Sequence, residues 1–166
     1  MPVERSAGAV IFRRQGKKIY YLLLRYELGH WDYVKGLIEK GEKSFDTVIR
    51  EAKEETGISD LKLVQGFKHT IRYFFRGKKV NGESAKSLEK KHQRHNSPKE
   101  IKGSKSEIIM KFVAFYLTQT KTKKIKLSYE HIGFKWLLYK EARERLTFKN
   151  AKKILDEANR FLTKSL

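Results

Sequence analysis

Arg50, Glu51, Glu54 and Glu55 crowd into six residues, and Gly57 closes the run. Gly36 and Glu42 precede them at fixed distances, within Gly36-Leu37-Ile38-Glu39-Lys40-Gly41-Glu42. Carboxylates are hard oxygen donors. Magnesium binds one or two of them, keeps several waters, and completes its shell with substrate phosphate oxygens. Acids clustered beside a glycine-rich loop can therefore present a divalent ion to a phosphate chain. The arrangement has a cost. Like charges about 5 Å apart repel by roughly 3 kcal/mol at an effective dielectric near 20, and Glu51 and Glu55 are helix neighbours at i,i+4. A charge run alone is ordinarily a solvated face. The upstream glycines and Glu42, at set offsets, favour a site.

The elements that hold these residues follow from pattern. A helix is predicted from Ser44, a good N-cap, to Gly57, a good C-cap. At about 100° per residue from Arg50, the three glutamates fall on an arc from roughly 40° to 140°. Val48, Ala52, Phe45, Thr56 and Ile49 occupy the next arc, roughly 160° to 260°. One side docks on a core and the adjacent side is acidic. Strands are predicted at Ala7–Arg13 and Lys18–Arg25, around a turn at Gln15-Gly16, then at Leu61–Phe67, His69–Phe75, Glu107–Thr118 and His131–Leu138. Lys149–Lys164 carries Ala151, Ile154, Leu155, Ala158 and Phe161-Leu162 at helical spacing, which suits a helix covering a sheet face. These elements make an α/β fold. Between Gly77 and Ser106 apolar residues are sparse and lysines frequent, so the segment cannot build a core of its own. It reads as a basic inserted loop at about 77–106, either a tolerated insertion or an arm that grips phosphate or RNA.

The chain has 166 residues, which is one domain by the usual size prior (1–166) and enough to bury a sizeable core. It has no cysteine, which removes disulfides and thiolate zinc sites. No stretch approaches membrane-spanning length, and the N-terminal residues lack an apolar signal region. A cytoplasmic location, no membrane partner and a monomeric state are expected. The net charge of +19 favours polyanionic partners, although a lysine-rich composition alone would also produce it.

The sequence Gly36…Glu42…Arg50-Glu51-Ala52-Lys53-Glu54-Glu55-Thr56-Gly57-Ile58 matches the Nudix box at every fixed position and so resembles that family of hydrolases. The resemblance implies an α/β/α sandwich with a mixed β-sheet between helices. It also implies metal-dependent hydrolysis of a pyrophosphate linkage in a nucleotide, with Mg2+ or Mn2+ held by Glu51, Glu54 and Glu55. Arg50 would orient a loop glutamate, and Glu54 or Glu51 would take the proton from water. Further similarity, in Gly8–Arg14, Leu22-Leu23-Leu24, His30–Gly36, Gly66-Phe67-Lys68 and Leu127–Trp136, points to asymmetrical diadenosine tetraphosphate hydrolases. That likeness implies His30, Lys35 and Lys79 (or Lys78) on the polyphosphate, Tyr73 and Phe134 stacking on bases, and Glu130 as a distant metal carboxylate. The carbonyl of Lys35 would be a further metal ligand. His131 reads as structural. The expected partner is a dinucleoside polyphosphate. The alternatives are an enzyme acting on RNA 5′ ends through the basic surface, as a pyrophosphohydrolase or decapping enzyme, and a non-catalytic nucleotide or RNA sensor.

Overall fold

A computed structural model describes residues 1–78 and 106–164. Its elements are β1 (Val3–Gln15), β2 (Lys18–Tyr26), β3 (Trp31–Asp32), β4 (Val34–Leu37), α1 (Ser44–Thr56), β5 (Lys62–Lys78), β6 (Ser106–Gln119), β7 (His131–Leu137), α2 (Tyr139–Arg145) and α3 (Lys149–Thr163). The strands hydrogen-bond in the order β3-β2-β1-β6-β5, with β4 also paired to β1 and β7 to β2. Sheet and helices together form the α/β fold expected of the sequence. Among the described residues no helix is long and apolar enough to cross a membrane. Most of the basic insertion, 79–105, lies outside the described residues.

Two compact units are distinguished. The smaller comprises Met1–Glu4 and Arg72–Phe112. There the amide of Met110 donates to the carbonyl of Pro2 at 3.0 Å, and Lys111 pairs with Glu4 at 3.6 Å. The larger comprises Arg5–Ile71 and Val113–Leu166 and contains the three helices found among the described residues.

In the larger unit, strand alternation decides which helix meets which face. Ala7, Ala9, Ile11, Leu22 and Leu24 form one face and pack with Val48, Ala52 and Ile58, so α1 lies on that side. Tyr21 and Leu23 alternate to the opposite face. The Tyr21 hydroxyl donates to Asn159 Oδ1 of α3 at 2.8 Å, and the buried Tyr33 hydroxyl donates to the Ala151 carbonyl at 2.6 Å. Ala151, Ile154, Leu155, Ala158 and Leu162 are the buried residues of α3, spaced as one apolar stripe of a helix.

Several boundaries differ from the sequence expectation. Ser44 is the first helical residue rather than the N-cap. Lys43 caps α1, with its backbone amide held by Asp46 Oδ2 at 3.2 Å, so the helix begins one residue earlier. Leu61–Phe67 and His69–Phe75 belong to a single strand, β5. Gly66, at φ +89°, lies inside this strand without ending it. The short strands β3 and β4 and the helix α2 carry too few periodic residues to announce themselves. Removing the Tyr33 hydroxyl tests the anchor of α3: Tyr33→Phe should lower unfolding stability by about 1 kcal/mol in urea titrations, with the fold unchanged by circular dichroism.

Candidate active site

The site starts from a missing side chain. Gly36 lies in β4, paired with Ala7 of β1, and faces Glu51 of α1. A Cβ built on Gly36 would land on the Glu51 carboxyl group, within 2.6 Å of its Cγ. Only glycine lets the helix seat this glutamate against the strand. Glu51 is consequently 0% exposed and Glu55 only 3%. The buried arc of α1 therefore includes two of its acids, as well as Thr47, Val48, Ala52 and Thr56. Ile49, which the helical wheel placed on the apolar side, is 38% exposed because the buried arc is rotated toward the glutamates.

Arg50 answers the charge. Its Nε donates to Glu42 Oε1 at 2.6 Å and its Nη2 to Glu42 Oε2 at 3.0 Å, a two-pronged grip. Nη2 also donates to the Leu37 carbonyl at 3.0 Å, and Nη1 to Glu51 Oε1 at 2.7 Å. Glu39 and Glu54 each lie 3.6 Å from Nη1. Glu42 also accepts the Thr47 hydroxyl at 2.7 Å and the Glu39 amide at 3.1 Å. The Arg50 hydrogen bond is the main reason the Glu42 carboxyl is held down to about 2. One guanidinium thus ties the glycine loop, the strand end and the helix together.

Glu55 points to a second cluster. Ligand atoms of Glu55, Glu130 and His131 lie within 4.8 Å of one another. His131 Nε2 is 3.3 Å from Glu55 Oε2. Burial first, and then His30, lower His131 to about 4, so its ring is neutral near pH 7. Tyr26 organises this end: it stacks on His30 at 4.6 Å between ring centroids, meets His131 edge-on at 4.4 Å, and donates its hydroxyl to the Tyr33 carbonyl at 2.6 Å. His131 has a structural role in this packing and also touches the acid cluster.

Two carboxylates within 4.8 Å repel by roughly 3 kcal/mol at an effective dielectric near 20, and a cation between them reverses the sign. Hard oxygen donors with one imidazole suit magnesium or manganese. The residues present fit a divalent ion.

The remaining predicted residues are placed as follows. Glu54 is the exposed member of the helix triad, with its side chain 52% accessible. The Lys35 ammonium pairs with the buried Asp32 at 2.7 Å. Asp32, which also accepts the Tyr33 amide at 2.8 Å, was not singled out from sequence. Its i,i+3 spacing from Lys35 was the available signal. His30 is half-buried, with Phe148 5.4 Å away, and burial lowers its pKa. Phe148 is 48% exposed and was also missed, since exposure of a lone aromatic is not readable from sequence. Phe134, on β7 opposite Leu24, is 37% exposed. Tyr73 belongs to the smaller unit, its ring 6.4 Å from that of Phe75. Lys79 lies outside the described residues.

Residues 2–158 match the NUDIX domain family. The chain is 31% identical over 170 residues to the asymmetrical bis(5′-nucleosyl)-tetraphosphatase of Mus musculus, covering 95% of each chain. It is 34% identical over 87 residues, about half of each chain, to an RNA pyrophosphohydrolase of Bartonella quintana. A solved C. elegans Ap4A hydrolase binary complex superposes with a TM-score of 0.71 at 24% identity, over 97% of this chain and 98% of that one.

Two outcomes follow from the geometry. Gly36→Ala should displace Glu51, lower stability by about 1–3 kcal/mol, and cut hydrolysis of a diphosphate-linked nucleotide by about 100-fold. Urea titration and steady-state rates check both. Glu42 has a folded pKa depressed from 4.5 to about 2, so its pair with Arg50 stabilises fully above that range and is lost as pH falls through it. In Arg50→Lys, which gives up the planar fork, urea midpoints should depend less steeply on pH between about 4.5 and 2.

Proposed function

The chain belongs to the Nudix family of pyrophosphohydrolases, and on that premise we propose that it hydrolyses diadenosine tetraphosphate asymmetrically, to ATP and AMP. The observation that carries this reading is the convergence of Glu55 of α1 with Glu130 and His131 from the far end of the sequence, beside the Gly36–Glu51 seat. The similarity over 95% of the chain to an asymmetrical tetraphosphatase supports the choice of substrate.

Glu51, Glu54, Glu55 and Glu130 would hold Mg2+ or Mn2+, with the Lys35 carbonyl, on β4 opposite Gly8, as a further donor. Such an ion, when bound, neutralises phosphate oxygens and lowers the pKa of water. The chain's own residues do the rest. Water attacks a phosphorus near one end of the tetraphosphate, its oxygen forms the new P–O bond, and the bridging P–O bond breaks. One proton passes to a carboxylate of α1. Glu54 is the accessible one, whereas Glu51 is fixed by Arg50. Lys35, shared with Asp32, and half-buried His30 offer charge and hydrogen bonds to the phosphates. Phe134 and Phe148 expose ring faces on which an adenine can stack, a contact of about 1–3 kcal/mol per base. Tyr73 and Lys79 are kept as candidate base and phosphate contacts.

Glu54→Gln separates catalysis from folding, because the side chain is largely exposed. Turnover of diadenosine tetraphosphate should fall by about 10²–10⁴ while the urea midpoint stays put. Chromatography of wild-type products should give ATP and AMP in equal amounts. Two equivalents of ADP would contradict asymmetrical cleavage. No turnover with either metal would favour a sensor.

A further inference from the structure

Lys35 is held at both ends of its side chain. At the base, β4 lies against β1 with Lys35 opposite Gly8. A Cβ built on Gly8 would fall 2.8 Å from the Lys35 Cβ, 2.7 Å from the Val34 carbonyl oxygen and 2.9 Å from Phe115 Cε1. Carbon atoms in ordinary contact sit about 3.5–4.0 Å apart, so no side chain fits there. Phe115 has little freedom to yield. It is 2% exposed and meets the Tyr33 ring edge-on, 5.7 Å between centroids, and Tyr33 is anchored to Ala151 of α3. Gly8 therefore leaves the room that the Lys35 stem occupies.

At the tip, the Lys35 ammonium donates to Asp32 Oδ2 at 2.7 Å. Asp32 is itself fixed. Its Oδ1 accepts the Tyr33 amide at 2.8 Å, it pairs with Leu24 of β2, and it is 3% exposed. The two members of the pair are placed unequally. The Asp32 side chain is 4% accessible and that of Lys35 is 26%, so the acid lies inside and the cation lies outward of it. An ammonium carries three donors, and a contact with one carboxylate oxygen is compatible with a contact to phosphate. The pair also lies beside His30, the other group expected on the phosphates. Burial lowers the His30 pKa, while Asp32 raises it and Lys35 lowers it.

A lysine stem is long and flexible, and fixing its head loses more rotamer entropy than most side chains do. A protein that needs a cation at one point must settle that loss before the ligand arrives. We infer that Asp32 is a positioning residue, which holds the Lys35 ammonium where a substrate phosphate meets it, with Gly8 clearing the path of the stem. Asp32 touches no substrate itself and acts through Lys35. The inference rests on the proposed function in one respect, that Lys35 faces a polyphosphate.

The test is a double-mutant cycle in the full chain. Asp32→Asn keeps the shape and the acceptor for the Tyr33 amide but removes the anion from the ammonium. Losing one well-placed charged contact corresponds to about 10-fold in affinity. The KM for diadenosine tetraphosphate should therefore rise by about 10-fold in Asp32→Asn with kcat nearly unchanged. Lys35→Met should raise KM at least as much, and adding Asp32→Asn to it should raise KM no further. Asp32→Glu keeps the charge on a longer arm. It should raise KM by a smaller factor, again only where Lys35 is present, and it carries the cycle if urea titration shows Asp32→Asn unfolded. Each protein is also titrated calorimetrically with inorganic tripolyphosphate, without divalent metal, and Kd should follow the same pattern. Equal rises with and without Lys35 would make Asp32 merely structural, and a lower KM in Asp32→Asn would make it a competitor for the lysine. Either result overturns the inference. Wild type that binds tripolyphosphate in the expected pattern yet cleaves no nucleotide would leave the positioning role standing and remove the hydrolase reading instead.

Discussion

Placing a carboxylate where a side chain is missing is the constraint that the larger unit answers to. Glu51 can sit at 0% exposure only because Gly36 has no Cβ. Burying a charge requires partners, and a lone buried carboxylate would be neutralised rather than kept. Arg50 supplies the partner from the adjacent position on the helix, and its remaining donors reach Glu42 and Leu37. The orientation of α1, the end of β4 and the path of the glycine loop are thus fixed by one five-donor group. Ala7 opposite Gly36 and Ala9 opposite Val34 keep the neighbouring strand small where the helix presses closest.

That seat divides labour among residues of one type. Glu51 is immobilised, Glu54 faces solvent, and Glu55 is turned toward Glu130 and His131. A carboxylate held by a guanidinium cannot readily take a proton, whereas an accessible one can. Equal chemistry at three positions becomes unequal through burial and partners alone. Tyr26 does comparable work for the imidazoles. Its ring separates His30 from His131 and its own hydroxyl is spent on a backbone carbonyl, while burial and then Glu55 hold its proton firmly on.

What could be read from sequence was whatever is periodic or spaced. The box fixed the positions of Gly36, Glu42, Arg50 and the helix glutamates, and helical spacing picked out the apolar stripe of α3. Burial of Glu51 was not readable, because a wheel assigns acids to water and cannot see a glycine across a strand. The wheel's misplacement of Ile49 has the same origin. Asp32 escaped notice since its partner, Lys35, already had a role by resemblance. β3 and β4, at two and four residues, are too short for a period to register. The convergence of Glu130 with Glu55 joins residues far apart in the sequence, and no local pattern encodes it.

The segment that brings Glu130 also resolves an electrostatic problem. A polyanion approaching clustered carboxylates meets repulsion before it meets any ion, and distant lysines help little, since charges beyond about 8 Å are screened at physiological salt. The cations that count are those within that range. Segment 120–130 shares two backbone hydrogen bonds with the last turn of α1, so the Lys126 backbone is fixed one turn from the acids. The same backbone that carries Glu130 into the acid cluster therefore also carries the exposed Lys126. Its length is fixed at one end by Phe12 and at the other by His131, whose amide donates to the Ser128 carbonyl at 3.3 Å. A shift of that segment would move Glu130 and the lysines together, which ties the position of the positive charge to that of the acid cluster.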